Sequence, residues 1–346
     1  MTADGPAPLV KCVVWDLDCT LWDGTLLEDP TVTVRPAMVE VVRRLDERGV
    51  LNAVASHNDE ALAMAALERA GVVQLFVEPR IGWTAKSAMV REIAGALNLG
   101  LDSFAFVDDD PFQRDQVQFA LPMVRCYDPD EMASALASAP FNGPTSPESG
   151  LKRALYQTEA RRRRDEEAFE GPPADFLGSL GMVLTIGRAR EADLARAEEL
   201  TVRTHQLNTT GVAYSRDELA ALIRSAEWMV MMAELTDRYG TYGKIGLAVV
   251  ERGSAHWTLQ LFLVSCRILS RGVAAVFLHQ LVELARRAGA GFRAQLVPNG
   301  RNRLMLVTLR FAGFEQVEER DGRLVLESRR AASAPAHVTV RMDPDA

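Results

Sequence analysis

Four groups of residues in this chain have the types and spacing for phosphoryl chemistry. The first lies in Val13-Val14-Trp15-Asp16-Leu17-Asp18-Cys19-Thr20-Leu21, where an apolar run delivers two aspartates, two positions apart, into a turn. One carboxylate of such a pair can attack phosphorus while its neighbour protonates the leaving oxygen and later deprotonates water. Ser56, after the apolar run 51–55, can donate to a phosphate oxygen, and Lys86, at an expected helix start, can neutralise phosphate and carboxylate charge. Asp108-Asp109-Asp110 follows the apolar run 104–107 and, with Asp16, offers oxygen ligands suited to Mg²⁺. Each group alone is commonplace. In this order, each after a strand or at a helix start, they describe one site.

A second kind of chemistry centres on Cys266. It follows the apolar run 261–264, and an expected helix begins a few residues later. Arg267, Arg271 and a helix amino end would favour a thiolate, which can take up an activated acyl group as a thioester. The competing reading is a small buried cysteine. Cys12 and Cys126 stand in apolar strand contexts and read as core, while Cys19 lies inside the phosphate loop.

The elements that must position these groups follow from periodicity. Residues 10–15, 50–55, 73–77 and 104–107 read as buried strands, separated by helices over 36–48, from Asp59 to 70, and over 85–97. That alternation predicts a parallel sheet with helices on both faces and a site beyond the carboxyl ends of the strands. About 30 residues separate the first motif from Ser56, and about 30 more lead to Lys86. Neither interval holds a large cap, so the site is expected to be capless and open.

Residues 141–148 are rich in turn formers, and a charged helix is expected over 151–169. Its run Arg161-Arg162-Arg163-Arg164-Asp165-Glu166-Glu167 reads as a solvated face with pairs such as Arg162–Glu166, or else as a patch for an anionic partner. Beyond it comes a mixed α+β pattern. A strand at 182–186 and helices at 191–203 and 216–225 precede strands near 227–235, 245–251 and 256–264. A helix at 272–288, a strand at 291–295, a helix at 301–311 and a terminal hairpin complete it. The expected domains are 8–140, a connecting segment 141–180, 181–328, and a flexible tail 329–346 in which 338–340 could pair as an edge strand.

Composition agrees with two domains. The chain has 346 residues, 48% hydrophobic and 25% charged, with 39 basic and 47 acidic residues for a net charge of −8. That balance argues against disorder and against nucleic acid as a partner. Four cysteines, none in a C-x-x-C pair, predict neither a disulfide framework nor a zinc site. No apolar run has membrane-spanning length, and residues 1–8 lack the features of a signal peptide, so a cytoplasmic, membrane-free protein is expected.

The first constellation resembles the haloacid-dehalogenase-like (HAD) superfamily. The resemblance implies Asp16 as nucleophile, Asp18 as acid/base and, through its backbone carbonyl, a metal ligand. It also implies Thr20, Ser56 and Lys86 as phosphate contacts, with Asp108 and Asp109 at the Mg²⁺. Residues 257–288 resemble the acyl-CoA-binding element of GCN5-related acetyltransferases (GNAT), but Leu269 and Ser270 depart from the basic and glycine positions of its pyrophosphate loop. A carrier-borne phosphopantetheine arm has no pyrophosphate and needs no such loop.

The pairing of the two resembles the FkbH-like proteins of polyketide pathways. The match is carried by Trp22-Asp23-Gly24, Ser56-His57-Asn58-Asp59, Asp108-Asp109-Asp110-Pro111, Arg203-Thr204-His205-Gln206-Leu207-Asn208 and Ser265-Cys266-Arg267. The family usually has Asn at Cys19, Lys at His57 and Asn at His205. The resemblance implies transfer of a D-glyceryl group from 1,3-bisphosphoglycerate, through Cys266, to the phosphopantetheine thiol of an acyl carrier protein, with removal of the phosphate. Arg203, Asn208, Arg267 and Asn302 are the candidate glyceryl contacts. A phosphatase joined to an acyl-CoA-dependent acyltransferase, and a non-catalytic scaffold, are the alternatives.

Overall fold

A computed structural model describes residues 8–29, 31–329 and 335–343. Residues 1–7, part of the stretch read for a signal peptide, and 330–334 and 344–346 of the expected tail lie outside the described residues. The chain divides into two units, Met1–Arg161 and Arg162–Ala346.

The first unit holds β1 (Cys12–Trp15), a short hairpin β2 (Trp22–Asp23) and β3 (Thr33–Val34), α1 (Pro36–Glu47), β4 (Leu51–Ser56) and α2 (Glu60–Arg69). It continues with β5 (Val77–Ile81), α3 (Lys86–Leu97), β6 (Phe104–Val107), α4 (Pro111–Ala120), β7 (Arg125–Tyr127) and α5 (Met132–Ala135). The five-stranded sheet has the order β5-β4-β1-β6-β7, and all its pairings are parallel. Strand β1 is central and apolar on both faces. Val13 and Trp15 join the core on one side, while Cys12 and Val14 join the core on the other. Continuous apolar strands of this kind are what a sheet covered on both faces requires.

Register places the chemistry. Trp15 stands opposite both Val54 and Val107, so β1 and β6 end level, β4 runs two residues further to Ser56, and Asp16, Ser56 and Asp108 emerge at one edge. Asp16 N–H still donates to Val107 O at 2.9 Å, which ties the turn to the neighbouring strand. The expected strand at 73–77 is instead a single 3₁₀ turn, Val73–Leu75, with Gln74 Nε2 bonded back to Gly71 O at 2.7 Å. Strand β5 begins at Val77 and contains Pro79, which an edge strand tolerates.

Helix α6 (Lys152–Glu167) contains the division between the units. Its first part belongs with the first unit, where Arg153 pairs with Asp46 at 3.0 Å and Tyr156 packs on the core. Its last part belongs with the second, so the segment 141–180 is not a separate linker.

The second unit continues with α7 (Pro173–Ser179), β8 (Met182–Arg188), α8 (Leu194–Arg203), α9 (Arg216–Arg224), β9 (Trp228–Asp237), β10 (Gly240–Arg252) and β11 (His256–Val264). Then come α10 (Val273–Arg287), β12 (Gly291–Leu296), α11 (Arg303–Phe311), β13 (Phe314–Arg320), β14 (Arg323–Ser328) and β15 (Val338–Met342). The eight strands run in the order β13-β14-β12-β11-β10-β9-β8-β15. Most pair antiparallel, but β11 with β12 and β8 with β15 are parallel. One face carries the core under α10 and α11, where Phe262 and Phe277 lie 5.3 Å apart, and the other packs α8 and α9. The two units together form the α/β class expected, with the parallel sheet first and the mixed α+β sheet second.

Residues 338–342 take the edge-strand reading of the tail, two residues longer than 338–340, because Val338 is buried in the core and the backbone pairs with β8 from Met182 to Ile186. One expectation is corrected here. Arg162 is not on a solvated face. It is 1% exposed, holds Asp237 bidentately at 2.8 Å and 2.8 Å, and stacks 3.7 Å over Tyr242. Glu166 pairs with the buried Arg271 at 3.0 Å. Neither arginine is therefore a surface charge for an anionic partner.

Candidate active site

The first unit brings Asp16, Ser56, Lys86 and Asp108 together. Lys86 Nζ lies 3.0 Å from Asp16 Oδ1 and 2.6 Å from Asp108 Oδ2, and all three residues are buried. Ser56 is buried at the end of β4, and its Oγ has no hydrogen-bond partner among the described residues. Burial raises Asp16 above the usual carboxylate range although Lys86 pulls it down. Burial and the nearby Asp16 charge push Asp108 up to about 6. Burial works against the Lys86 ammonium, but the two carboxylates outweigh it and hold its pKa above the ordinary value. Two partly frustrated carboxylates around one ammonium have the charge pattern of a site that takes up further positive charge.

Asp16, Asp108 and Asp109 fit a magnesium ion. Their carboxylate oxygens lie within 4.8 Å of one another, and the donors are all hard oxygens, with Asp109 exposed at the opening. The side chain of Asp18 is outside that cluster. Trp22 Nε1 and Leu26 N–H donate to its Oδ1 at 2.8 Å and 3.1 Å, and Asn58 Nδ2 donates to its Oδ2 at 3.0 Å. These three donors fix the Asp18 carboxyl from the β2–β3 segment on one side and the β4–α2 turn on the other.

Thr20 is tied to Asp109. Its buried hydroxyl donates to Asp109 Oδ1 at 3.1 Å and accepts from Asp109 N–H at 3.0 Å, so it positions the acidic loop. Arg114 braces the same loop through the carbonyls of Asp108 and Asp109, at 2.5 Å and 2.8 Å. Cys19, between the two motif residues Asp18 and Thr20, has φ +52°. That left-handed conformation suits Asn better than Cys. Sequence reasoning quoted Trp22 and Asn58 as motif residues without giving them a role. Their value depends on a fold that brings residues 22 and 58 to one carboxylate.

Of the second-unit candidates, Asn208 and Asn302 are in contact with each other. Asn208 is fully buried, with Nδ2 on Thr204 O and Oδ1 accepting from Thr210 and Gly211 N–H. Asn302 Nδ2 meets Asn208 O, Thr209 O and Val297 O, and its Oδ1 accepts from Asn299 N–H. Backbone groups thus occupy both amides. Arg203 lies 3.6 Å from the buried Glu199, which Arg196 also pairs at 2.8 Å. Cys266 is half-buried at the head of the 3₁₀ segment Cys266–Arg271, and α10 starts only at Val273, so its thiol is not at the amino end of that helix. Arg267 reaches Tyr242 O at 3.0 Å and Ser265 Oγ at 3.4 Å.

No family model matches the chain, and no curated protein matches it. Solved structures similar to parts of it include the N-terminal part of protein BF1531 from Bacteroides fragilis, containing a phosphatase domain and complexed with Mg. That likeness has 29% identity over 39% of this chain and TM-score 0.35, and this chain covers 40% of that structure's length. Another is the ribosomal-protein-S18-alanine N-acetyltransferase of Escherichia coli, at 18% identity over 42% of this chain and 90% of that one, TM-score 0.32. A third is the GNAT domain of S. lividans PAT, at 20% identity over 41% of this chain and 88% of that one, TM-score 0.33. Among the described residues no helix is long and apolar enough to cross a membrane.

Proposed function

We propose that the first unit is a Mg²⁺-dependent phosphatase of the aspartyl-nucleophile type, and that the whole chain delivers a D-glyceryl group from 1,3-bisphosphoglycerate to the phosphopantetheine thiol of an acyl carrier protein, without its phosphate. The observation that carries the first half is the buried Asp16–Lys86–Asp108 cluster beside an Asp18 fixed by three donors. The second half rests on the motif resemblance around Cys266.

Asp16 attacks phosphorus of the 3-phosphate. The ester oxygen leaves with a proton from Asp18, and the phosphoryl group rests on Asp16. Asp18 then takes a proton from water, the water oxygen attacks the same phosphorus, and inorganic phosphate departs as the Asp16 carboxylate is restored. Lys86 and Ser56 neutralise and orient the phosphoryl oxygens. Bound Mg²⁺, held by Asp16, Asp108 and Asp109, supplies charge neutralisation to that group. At the second centre the Cys266 thiolate attacks the acyl carbon of the acyl phosphate and expels phosphate. The carrier, as its thiolate, then attacks the resulting thioester, the acyl C–S bond to Cys266 breaks, and Cys266 is returned as thiolate.

The phosphatase half is tested by the Asp16→Asn variant. Inorganic phosphate released from the 3-position should fall to the uncatalysed rate while circular dichroism stays native. Wild-type release from a folded variant would exclude Asp16 as the nucleophile.

A further inference from the structure

Strands β11 and β12 are adjacent and parallel, yet they pair over only four residues, from His256 opposite Gly291 to Leu259 opposite Ala294. Beyond Leu259 the two part. A parting between central strands leaves backbone N–H and C=O groups that an extended, amide-bearing ligand can pair with as an added strand. In this chain residues 207–211 take those groups. Val264 N–H donates to Leu207 O at 3.0 Å and Thr209 N–H donates to Phe262 O at 2.9 Å. Phe262 N–H donates to Thr209 Oγ1 at 2.9 Å, and Thr210 Oγ1 donates to Gln260 O at 3.4 Å. The far wall is closed as well, since Val297 N–H donates to Thr209 O at 2.9 Å and Val297 O accepts from Asn302 Nδ2 at 2.9 Å. Asn208 and Thr209 are wholly buried in this gap.

The amino end of α10 is covered too. A helix amino end with no side-chain cap is an anion site in waiting, and α10 has none. It is preceded by Gly272 at φ +72°, against which residues 335–337 are laid. Pro335 Cγ would stand 3.2 Å from a Cβ on Gly272, and His337 Nε2 is 3.1 Å from Arg271 O. The segment is anchored by β15 on β8 and by Asp343 on Arg190 at 2.8 Å. The hollow left alongside, lined by Leu207, Ile268, Ala275, Leu304 and Phe311, has a volume of about 140 Å³. That is below the roughly 300–1,000 Å³ of sites that enclose a small molecule.

We propose that residues 207–211 and 335–337 are built-in occupants of the second unit: the first close the strand gap to a pantetheine arm of any origin, the second close the amino end of α10 to a pyrophosphate, and coenzyme A is thereby excluded. The further consequence, that a carrier-borne arm must reach Cys266 by a path outside that gap, rests on the proposed transfer; the exclusion itself does not.

The test uses the full wild-type chain. Isothermal titration with coenzyme A, and separately with inorganic pyrophosphate, should show no saturable binding up to about 1 mM. Amide hydrogen exchange at Phe262 and Val264 should be slow without ligand and unchanged by coenzyme A. Saturable binding of either ligand in that range, or fast exchange at the two amides that coenzyme A slows, would overturn the proposal. Carrier loading is measured separately. Coenzyme A binding with normal loading defeats the exclusion alone, and absence of both defeats the proposed transfer alone.

Discussion

Replacing Lys86 with Met removes the only ammonium between two buried carboxylates and keeps most of the side-chain volume. Lys86 stands 3.0 Å from Asp16 and 2.6 Å from Asp108, with the three side chains 5%, 8% and 0% exposed. At an effective dielectric constant of about 20, each pair has a gross attraction of about 5–6 kcal/mol. Much of that offsets desolvation, and breaking such a buried pair from one side costs about 3–5 kcal/mol. Against a total stability of about 5–15 kcal/mol this is a large loss.

The loss should depend on pH. Asp108 already sits near 6 with Lys86 in place, against about 3.9 for an unfolded aspartate, and removing Lys86 drives both carboxyls higher. The folded variant then binds more protons than the unfolded chain from about pH 4 to above pH 6, so its stability falls as pH rises through that window. Urea unfolding in EDTA, followed by tryptophan fluorescence at pH 5 and pH 7, should show a larger deficit at pH 7, and Mg²⁺ should narrow it. A deficit under about 1 kcal/mol at pH 7, or one equal at both pH values, would refute the electrostatic reading of the cluster.

Asn58→Ala should lower kcat for phosphate release by about tenfold or more and leave KM nearly unchanged, because Asn58 holds the acid/base carboxyl of Asp18; an unchanged kcat would remove it as a positioning residue. Cys19→Asn should raise stability by about 1 kcal/mol in thermal unfolding, since Asn accepts the φ of +52° more readily. Arg162→Met should cost the second unit about 3–5 kcal/mol by stranding Asp237, and a loss below about 1 kcal/mol would show that Tyr242 and the backbone satisfy that carboxylate alone.

Much of the first site was legible because its residues follow strands, and strands announce themselves as apolar runs. Asp16, Ser56 and Asp108 needed only a parallel sheet to meet. Strand β5 was misplaced because its sequence, Val77-Glu78-Pro79-Arg80-Ile81, looks like a loop; it is an edge strand whose Glu78 and Arg80 pair at 3.1 Å. The second unit was less legible for a physical reason. Arg162 looks like one of four solvated arginines until Asp237, 75 positions away, is placed beside it. Asn208 and Asn302 are 94 positions apart and have the polar character of ligand contacts, yet Asn302 satisfies the backbone around Asn208, and Asn208 the backbone of its own segment. Spacing within a helix or strand is visible in a sequence; the partner that neutralises a buried polar group is not.

The proposed transfer is tested most directly by intact-mass measurement of a phosphopantetheinylated carrier protein incubated with the full chain, 1,3-bisphosphoglycerate and Mg²⁺. We expect the carrier to gain a glyceryl group without phosphate, to keep the phosphate when Asp16→Asn replaces the wild type, and to gain nothing with Cys266→Ala. An unmodified carrier with the wild-type chain, or normal loading with Cys266→Ala, would contradict the division of labour between the aspartate and cysteine centres.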